Sequence, residues 1–456
     1  MKRKLNITAA LATTASVALL AGAAHAQMGG TPQVCTTTLN SPAHNDCVMP
    51  TASAPGGGSF PGSFLVPGTN TSFAVHGYIQ VDAVHDFGPH LGDTGFAVSA
   101  VPLEGPGASA GNLEGHAANG GTALTVKATR PNIETRTPTA YGELKTYIEF
   151  DFNQTGSTQL GGNNDLLRLR QAYGTLGPWL IGQTYSLFAD LQAYADTAAG
   201  AQDAGMFNTF NVRRPMVRYT WLVGNGMSIA GGAEMPTYTG NGSYATAANG
   251  AALTANNPND TTSYVNWPHF VGAGELDQPW GHVRLAVATG VNEARLTAGP
   301  TTANPNKQNG FYAFALSGHL NTWGKDALRG AVGYNNGGSG FSSDMQQGGT
   351  IYNTGTGAST NVKEWFAYAS YEHFFTGQWR ANESFGYVHN SGNPGFTSNT
   401  TLVGLEKVHF TNNLNVIYSP VPQLDMILEW QHAYRKVNSG AKGTDNAIDA
   451  QWKFYF

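Results

Sequence analysis

The chain has few cysteines, few charges and no long apolar run. Its 456 residues include two cysteines, and only 12% of them are charged. Because no apolar run of about 20 residues occurs, the sequence predicts no membrane-spanning helix. It contains no G-x-S-x-G, H-E-x-x-H or phosphate-loop motif and no cluster of metal ligands, so an enzyme, a cofactor or a metal site finds no support.

The first 26 residues are typical of a secretory signal. Lys2, Arg3 and Lys4 precede small and apolar residues up to Ala21, and Ala24-His25-Ala26 forms a cleavage site. The apolar part is too short and too rich in alanine for a membrane anchor. Cleavage would remove three of the 24 basic residues and no acidic ones, taking the formal net charge from −5 to −8. This balance disfavours nucleic acid as a partner.

Residues 27–72 are rich in Gly, Pro, Ser and Thr, which predicts a flexible, disordered N-terminal tether. Both cysteines, Cys35 and Cys47, lie in it. In an exported protein they are expected to form a disulfide. A redox or metal site is the alternative, but it would lack C-x-x-C spacing.

Residues 73–456 repeat one unit, a strand of about 10 residues, a tight turn, a second strand and a long loop. Leu167 and Leu169 point to one face of such a strand, and Arg168 and Arg170 point to the other. This gives sixteen strands, seven short turns and eight longer loops, and the long loops suit the outside face. An even strand number with charges on the inner face predicts an all-β fold, a transmembrane antiparallel β-barrel of 16 strands.

The alternative is a secreted soluble β-protein, whose outer faces would normally be polar. Here they carry Leu, Ile, Phe, Val and Trp. The last strand alternates up to a terminal aromatic, Phe456, which resembles the assembly signal of bacterial outer-membrane barrels. The sequence therefore favours the barrel.

A barrel of this size encloses an aqueous channel. Residues 185–210 form the third long loop, and their apolar side chains suit packing against the inside wall, although an ordinary surface loop remains the alternative. Inward-facing basic residues surround this loop in sequence, and rings of such residues select anions. For each arginine the alternative is a salt bridge within the wall. The predicted constriction comprises Arg130, Arg136, Lys145, Arg168, Arg170, Arg214, Arg218 and Asp190.

Five segments carry a resemblance to the DcaP-type porins of Gram-negative outer membranes. They are GYIQVDA (77–83), GELKTYIEFDF (142–152), LRLRQAYG (167–174), WLIGQTYS (179–186) and RRPMVRY (213–219). The resemblance is specific over residues 73–221 and implies a 16-stranded homotrimeric channel for small anions such as dicarboxylates. It also implies that Arg168, Arg170, Arg214 and Arg218 line the constriction. The helical N-terminal extension of some members has no counterpart here.

The sequence thus predicts an outer-membrane porin for passive diffusion of small hydrophilic solutes, anions or dicarboxylates by preference. Its expected partners are small anionic solutes, outer-membrane lipid and two further copies of the chain. A sugar-preferring porin is the alternative within transport. A barrel enzyme or an adhesive surface barrel is the alternative from another class.

Overall fold

The computed structural model describes residues 57–88, 98–105, 120–154, 166–198, 213–236, 244–246, 267–294, 307–342, 349–353, 359–391 and 406–456. The predicted signal sequence and most of the predicted tether lie outside these residues. The Cys35–Cys47 disulfide lies outside them too and stays a prediction.

Sixteen antiparallel strands form one closed sheet, as the alternation predicted. The first eight are β1 (Ser72–Asp86), β2 (Gly121–Thr125 and Arg130–Thr139), β3 (Gly142–Gln154), β4 (Leu166–Leu176), β5 (Trp179–Tyr185), β6 (Arg213–Gly224), β7 (Met227–Glu234) and β8 (His269–Gln278). The others are β9 (Gly281–Ala294), β10 (Lys307–Asn321), β11 (Ala327–Asn336), β12 (Lys363–Phe374), β13 (Trp379–Asn390), β14 (Glu406–Val421), β15 (Leu424–Val437) and β16 (Lys442–Tyr455).

The two halves of β2 pair with different parts of β1, so they act as one interrupted strand. Closure joins β1 to β16, with Tyr78 opposite Tyr455 and Asp86 opposite Ala447. The terminal Phe456 extends this seam, because its backbone exchanges two hydrogen bonds with Gly77 at 3.0 and 3.1 Å. A closed sheet leaves no edge, which is how strands satisfy their backbone groups in lipid.

Side chains alternate across the wall as the sequence predicted. On β6, Val217, Tyr219 and Trp221 are exposed on the outside, whereas Arg214 and Met216 are buried on the inside. The same division holds on β4, where Leu167 and Leu169 are exposed and Arg170 is buried. The apolar outer face is suited to lipid.

One end of the barrel carries the short turns. Between β6 and β7 the turn is Gly224-Asn225-Gly226, with φ values of 105°, 54° and 78°. Positive φ at consecutive residues is the geometry that glycine and asparagine tolerate, and it gives tight hairpins. The sequence placed this turn correctly.

The last part of the predicted tether packs against the barrel. Phe64–Leu65 pairs with Ser72 and Phe73, and Phe60 is buried beneath the Arg136 guanidinium, 4.6 Å from its ring centroid. Residues 57–71 therefore pack against the short-turn end, and the structured unit begins before the expected boundary at residue 73.

Four further elements are not part of the barrel wall. They are a small sheet of Tyr244–Thr246, Thr350–Asn353 and Ser359–Asn361, and the single-turn helix α1 (Ser339–Ser342). No helix in the described ranges is long and apolar enough to cross a membrane.

Candidate functional site: a constriction in the barrel lumen

The chain turns into the barrel directly after β5. Ser186 Oγ donates a 2.8 Å hydrogen bond to Glu234 Oε2 of β7, and the Leu187 N–H donates one of 2.6 Å to Oε1 of the same carboxylate. This fully buried carboxylate therefore holds the start of the loop predicted at residues 185–210. The described part of that loop, residues 186–198, lies inside the barrel.

Asp190 fixes the middle of the loop. It accepts a 3.0 Å hydrogen bond from the Gln192 N–H at the start of the short helix Leu191–Ala193 and one of 2.6 Å from Ser317 Oγ on β10. The His282 Nε2 of β9 lies 3.4 Å from the same carboxylate. Asp190 is only 3% exposed, so it anchors the loop rather than presenting its charge to a channel.

The loop then reaches the far wall. Arg380 of β13 donates a 2.6 Å hydrogen bond from Nη2 to Asp196 Oδ2, and the Ala198 N–H donates one of 2.7 Å to Glu429 of β15. The Ala198 carbonyl accepts one of 3.0 Å from Gln451 of β16. Because its anchors run from β7 to β16, the loop spans the lumen and narrows it.

An apolar cluster fills the space between the loop and the β8–β13 wall. Its members are Leu187, Phe188, Ala193 and Ala195 from the loop, Val271, Ala273, Ala286, Ala288, Phe311, Ala313, Ala315, Ala331, Phe366, Tyr368 and Val388 from the strands, and Phe341. Such burial stabilises the inward position of the loop.

Phe341 belongs to a second inward segment that sequence reasoning missed. The long loop at residues 336–361 was expected to suit the outside face, yet α1 lies inside, with the Phe341 and Phe188 ring centroids 5.4 Å apart. The only signal in the sequence was one aromatic residue in a Gly/Ser-rich segment, and burying it requires the loop to fold inward.

Arg214 lies beneath this second segment. It is completely buried, its guanidinium carbon lies 4.0 Å from the Phe341 ring centroid, and its Nη2 donates a 2.7 Å hydrogen bond to the Gly340 carbonyl. Sequence reasoning placed Arg214 on the correct face but wrongly expected it to line the open channel. The physical reason is that α1 covers it.

The predicted basic residues of β2–β4 do come together on one wall. On β4, Arg168 donates hydrogen bonds of 2.8 and 2.6 Å to the two oxygens of Asp151, and Arg170 bridges Glu149 and Asp151 at 2.7 and 3.0 Å. Arg130 of β2 lies nearby, with its guanidinium 5.4 Å from the Tyr78 ring centroid.

A second group lies nearer the short turns. Glu134 accepts contacts from Arg136 at 2.6 Å and from Lys145 at 3.0 Å, so one carboxylate serves two cations. Arg136 also lies 3.6 Å from Glu143 at the turn. These bonds confirm neither a selective role nor a purely structural one, because both alternatives predict ion pairs here.

Arg213 and Arg218 extend this wall along β6. Arg218 forms no hydrogen bond or ion pair with any residue in the described ranges, and its buried Nε has no acceptor there. Arg213 was not predicted, since alternation gives it an outward position. Its guanidinium lies 5.4 Å from the Tyr185 ring centroid.

In three of the six ion pairs of this wall the basic side chain is clearly the more exposed member. The side chain of Arg168 is 32% exposed and that of its partner Asp151 only 1%. Arg136 is 31% exposed and Lys145 is 23%, against 8% for Glu134. The other three ion pairs of this wall differ: Glu143 at the turn is 48% exposed, and Arg170 is as buried as Glu149 and Asp151, at 4% against 1%.

The β2–β6 wall therefore carries more basic than acidic groups, and Arg136, Lys145 and Arg168 expose their charges to the lumen. The seven basic residues of this wall, without Arg214, face four carboxylates. The basic residues are Arg130, Arg136, Lys145, Arg168, Arg170, Arg213 and Arg218, and the carboxylates are Glu134, Glu143, Glu149 and Asp151. Within the described ranges, no three His, Cys, Asp or Glu side chains are placed to bind a metal ion.

Comparisons with known proteins match this architecture. A family model described as a porin subfamily matches residues 61–453. The outer-membrane channel DcaP of Acinetobacter baumannii is similar in structure at 17% identity, with a TM-score of 0.67 over 86% of this chain and 99% of that chain. An anion-selective porin from Comamonas acidovorans is similar at 10% identity, with a TM-score of 0.53 over 85% of this chain and 100% of that chain. A search of curated protein sequences finds no match. The two structural likenesses show a shared barrel fold.

Proposed function

Because the chain belongs to the porin subfamily, whose model matches residues 61–453, we propose that its channel passes small anions, including dicarboxylates, in preference to cations. As a porin it is a channel of the bacterial outer membrane and not an enzyme. The observation that carries the proposal is the β2–β6 wall, where the basic groups of three ion pairs are more exposed than their carboxylate partners.

The order of charges in each pair determines the field that a solute meets. In the Arg168–Asp151 pair the cation stands between the carboxylate and the water, so the solute passes closer to the positive charge. Fixed cations offset part of the dehydration cost of an anion in a narrow pore. A dianion gains about twice the Coulomb energy of a monoanion at the same potential, which favours dicarboxylates.

The experiment is the reversal potential of the reconstituted protein in a planar bilayer. With a KCl gradient the sign should correspond to chloride permeation. Replacing chloride by a four-carbon dicarboxylate, and then by its monoamide of nearly equal size, separates charge from size. The dicarboxylate should be the more permeant of the two. A cation-selective channel would overturn the proposal.

The DcaP resemblance implies a homotrimer, and we propose that its three copies associate through the outer face of β2–β5. That face carries polar groups that are costly in lipid. The outward hydroxyls of Thr135 and Thr146 lie 2.6 Å apart, and the Gln183 amide donates to backbone carbonyls of β4. Burial against another copy, with the remaining outer face in contact with outer-membrane lipid, would shield them.

Gly174, on the same face, allows a test. A Cβ added there would contact only the Lys145 carbonyl oxygen, at 3.6 Å, so a larger side chain fits the isolated barrel. Gly174→Trp should produce folded monomers by light scattering in detergent, whereas the wild type should have the mass of three chains. Unchanged trimers in the variant would place the interface elsewhere.

A further inference from the structure

A row of lysines lies on the outside of the barrel at the long-loop end, which is extracellular in outer-membrane barrels. Lys436 is directly opposite Lys442 on the neighbouring strand. On its other side the register shifts between Glu406 and Val408, so Lys407 is an extra residue opposite Lys436. A bulge of this kind places two residues opposite one.

The three ammonium groups have no partner in the described part of the chain. Neither a hydrogen bond nor an ion pair to Lys407, Lys436 or Lys442 occurs there. Glu104 borders the row through backbone hydrogen bonds with Lys442 of 2.9 and 3.0 Å, but the two side chains form no ion pair. Like charges that face each other across strands are destabilising, and a bound anion would relieve this repulsion.

The inner face at the same level is arranged differently. Arg435 and Glu406, the neighbours of Lys436 and Lys407 in sequence, point inward and form an ion pair. Among the described residues, the inward charges at this level are thus paired and the outward charges are not.

Aromatic side chains mark the depth of the row. Tyr434 lies two residues before Lys436 on the outward face, a separation of about 7 Å. Two strands away, Trp365 is exposed outward opposite His389, which itself lies opposite Val408. Aromatic girdles occupy the headgroup level of a membrane. The lysines therefore lie at or just above the lipid phosphates.

We propose that the row formed by Lys407, Lys436 and Lys442 binds the phosphate groups of the phosphorylated glycolipid in the outer leaflet. Three ammonium groups on adjacent strands match a lipid with more than one phosphate, and the aromatic residues below them contact its acyl chains. Long lysine side chains can lie along the apolar surface while their charges reach the headgroups. This interaction surface is independent of what the pore transports.

The test uses the full chain, folded in zwitterionic detergent and titrated with a bisphosphorylated lipid A, with bound lipid counted by native mass spectrometry. Each lysine near an anionic lipid contributes a factor of about five to affinity. Replacing all three (K407Q/K436Q/K442Q) should therefore weaken binding roughly a hundredfold. The corresponding triple arginine variant keeps the charge and should bind nearly as well as the wild type.

Two controls separate this site from general charge effects. Lys325→Gln, on the short turn at the opposite end, should leave binding unchanged. Dephosphorylated glycolipid should bind the wild type as weakly as lipid A binds the triple glutamine variant. Tight binding by that variant would overturn the proposal, as would equal loss in Lys325→Gln or displacement of the lipid by millimolar inorganic phosphate. Without lipid, the triple glutamine variant should be at least as heat-resistant as the wild type, because repulsion is removed.

Discussion

Arg218→Gln is the sharpest test of anion selectivity. Arg218 faces the lumen from β6, opposite Leu180 of β5 and Gly232 of β7. Among the residues that the structure describes, it has neither a hydrogen-bond acceptor nor an ion-pair partner. Its substitution therefore removes one positive charge without leaving a carboxylate unpaired. Arg170→Ala would lack this advantage, because Glu149 and Asp151 would remain buried, which is costly.

The expected size of the effect follows from Coulomb's law. A monovalent ion that passes about 5 Å from the guanidinium in water interacts by about 0.8 kcal/mol, and screening at physiological salt reduces this to about 0.4 kcal/mol. An anion loses this energy in the variant and a cation no longer meets the corresponding repulsion. The anion-to-cation permeability ratio should therefore fall about fourfold. For a dianion the energy lost is about twice as large.

The measurement is the reversal potential of wild type, Arg218→Gln and Arg218→Lys in the same salt gradient. Lysine keeps the charge at this position, so its variant should remain close to the wild type. Folding is checked by heat-modifiable migration on gels. If the glutamine variant retains the wild-type permeability ratio, the β2–β6 wall does not set selectivity through its unpaired charge, and the reasoning fails.

Three further predictions concern the loop, a turn and the seam. Phe188→Ala removes a buried anchor worth about 3–5 kcal/mol, so the constriction loop should detach more often and current noise should rise while the barrel stays folded. Hydrogen bonds from the Phe374 N–H and from His373 hold the pKa of Asp326, in a short turn, below its usual range. This stabilisation is present above the unfolded pKa of about 3.9 and is lost as pH falls through the lower folded pKa, so Asp326→Asn should lower the melting temperature at pH 7, and the difference from the wild type should shrink as the pH falls below that unfolded pKa. Deleting Phe456 should reduce the yield of folded protein in outer membranes without affecting export, because both its seam hydrogen bonds are lost.

The barrel was predictable because a lipid-facing wall imposes one rule on every strand. Leu167 and Leu169 must face outward and Arg168 and Arg170 inward, and a one-residue slip would reverse all four. The turns were equally predictable, since Gly224-Asn225-Gly226 supplies the positive φ values that a tight hairpin needs. Each of these signals is local in sequence.

The environment of each inward residue was not predictable from the same signals. Arg214 and Arg218 lie four residues apart on one face of β6, and alternation treats them alike. Arg214 is buried because Gly340, 126 residues away, lies over it, whereas Arg218 has no such cover in the described residues. Only long-range packing of the loops distinguishes the two positions, and strand periodicity carries no information about that packing.

The predicted net charge of −8 for the exported chain and the positive wall are compatible for the same reason. Several carboxylates hold the constriction loop in place. They include Glu234, Asp190 and Glu429, each of which is buried and accepts a hydrogen bond from a backbone N–H of the loop. Others lie behind their cations, as Asp151 lies behind Arg168. A passing solute responds to the charges within about one Debye length, weighted by proximity. The proposed anion selectivity thus rests on which member of each pair is nearer the water, a quantity contained neither in the net charge nor in the number of ion pairs.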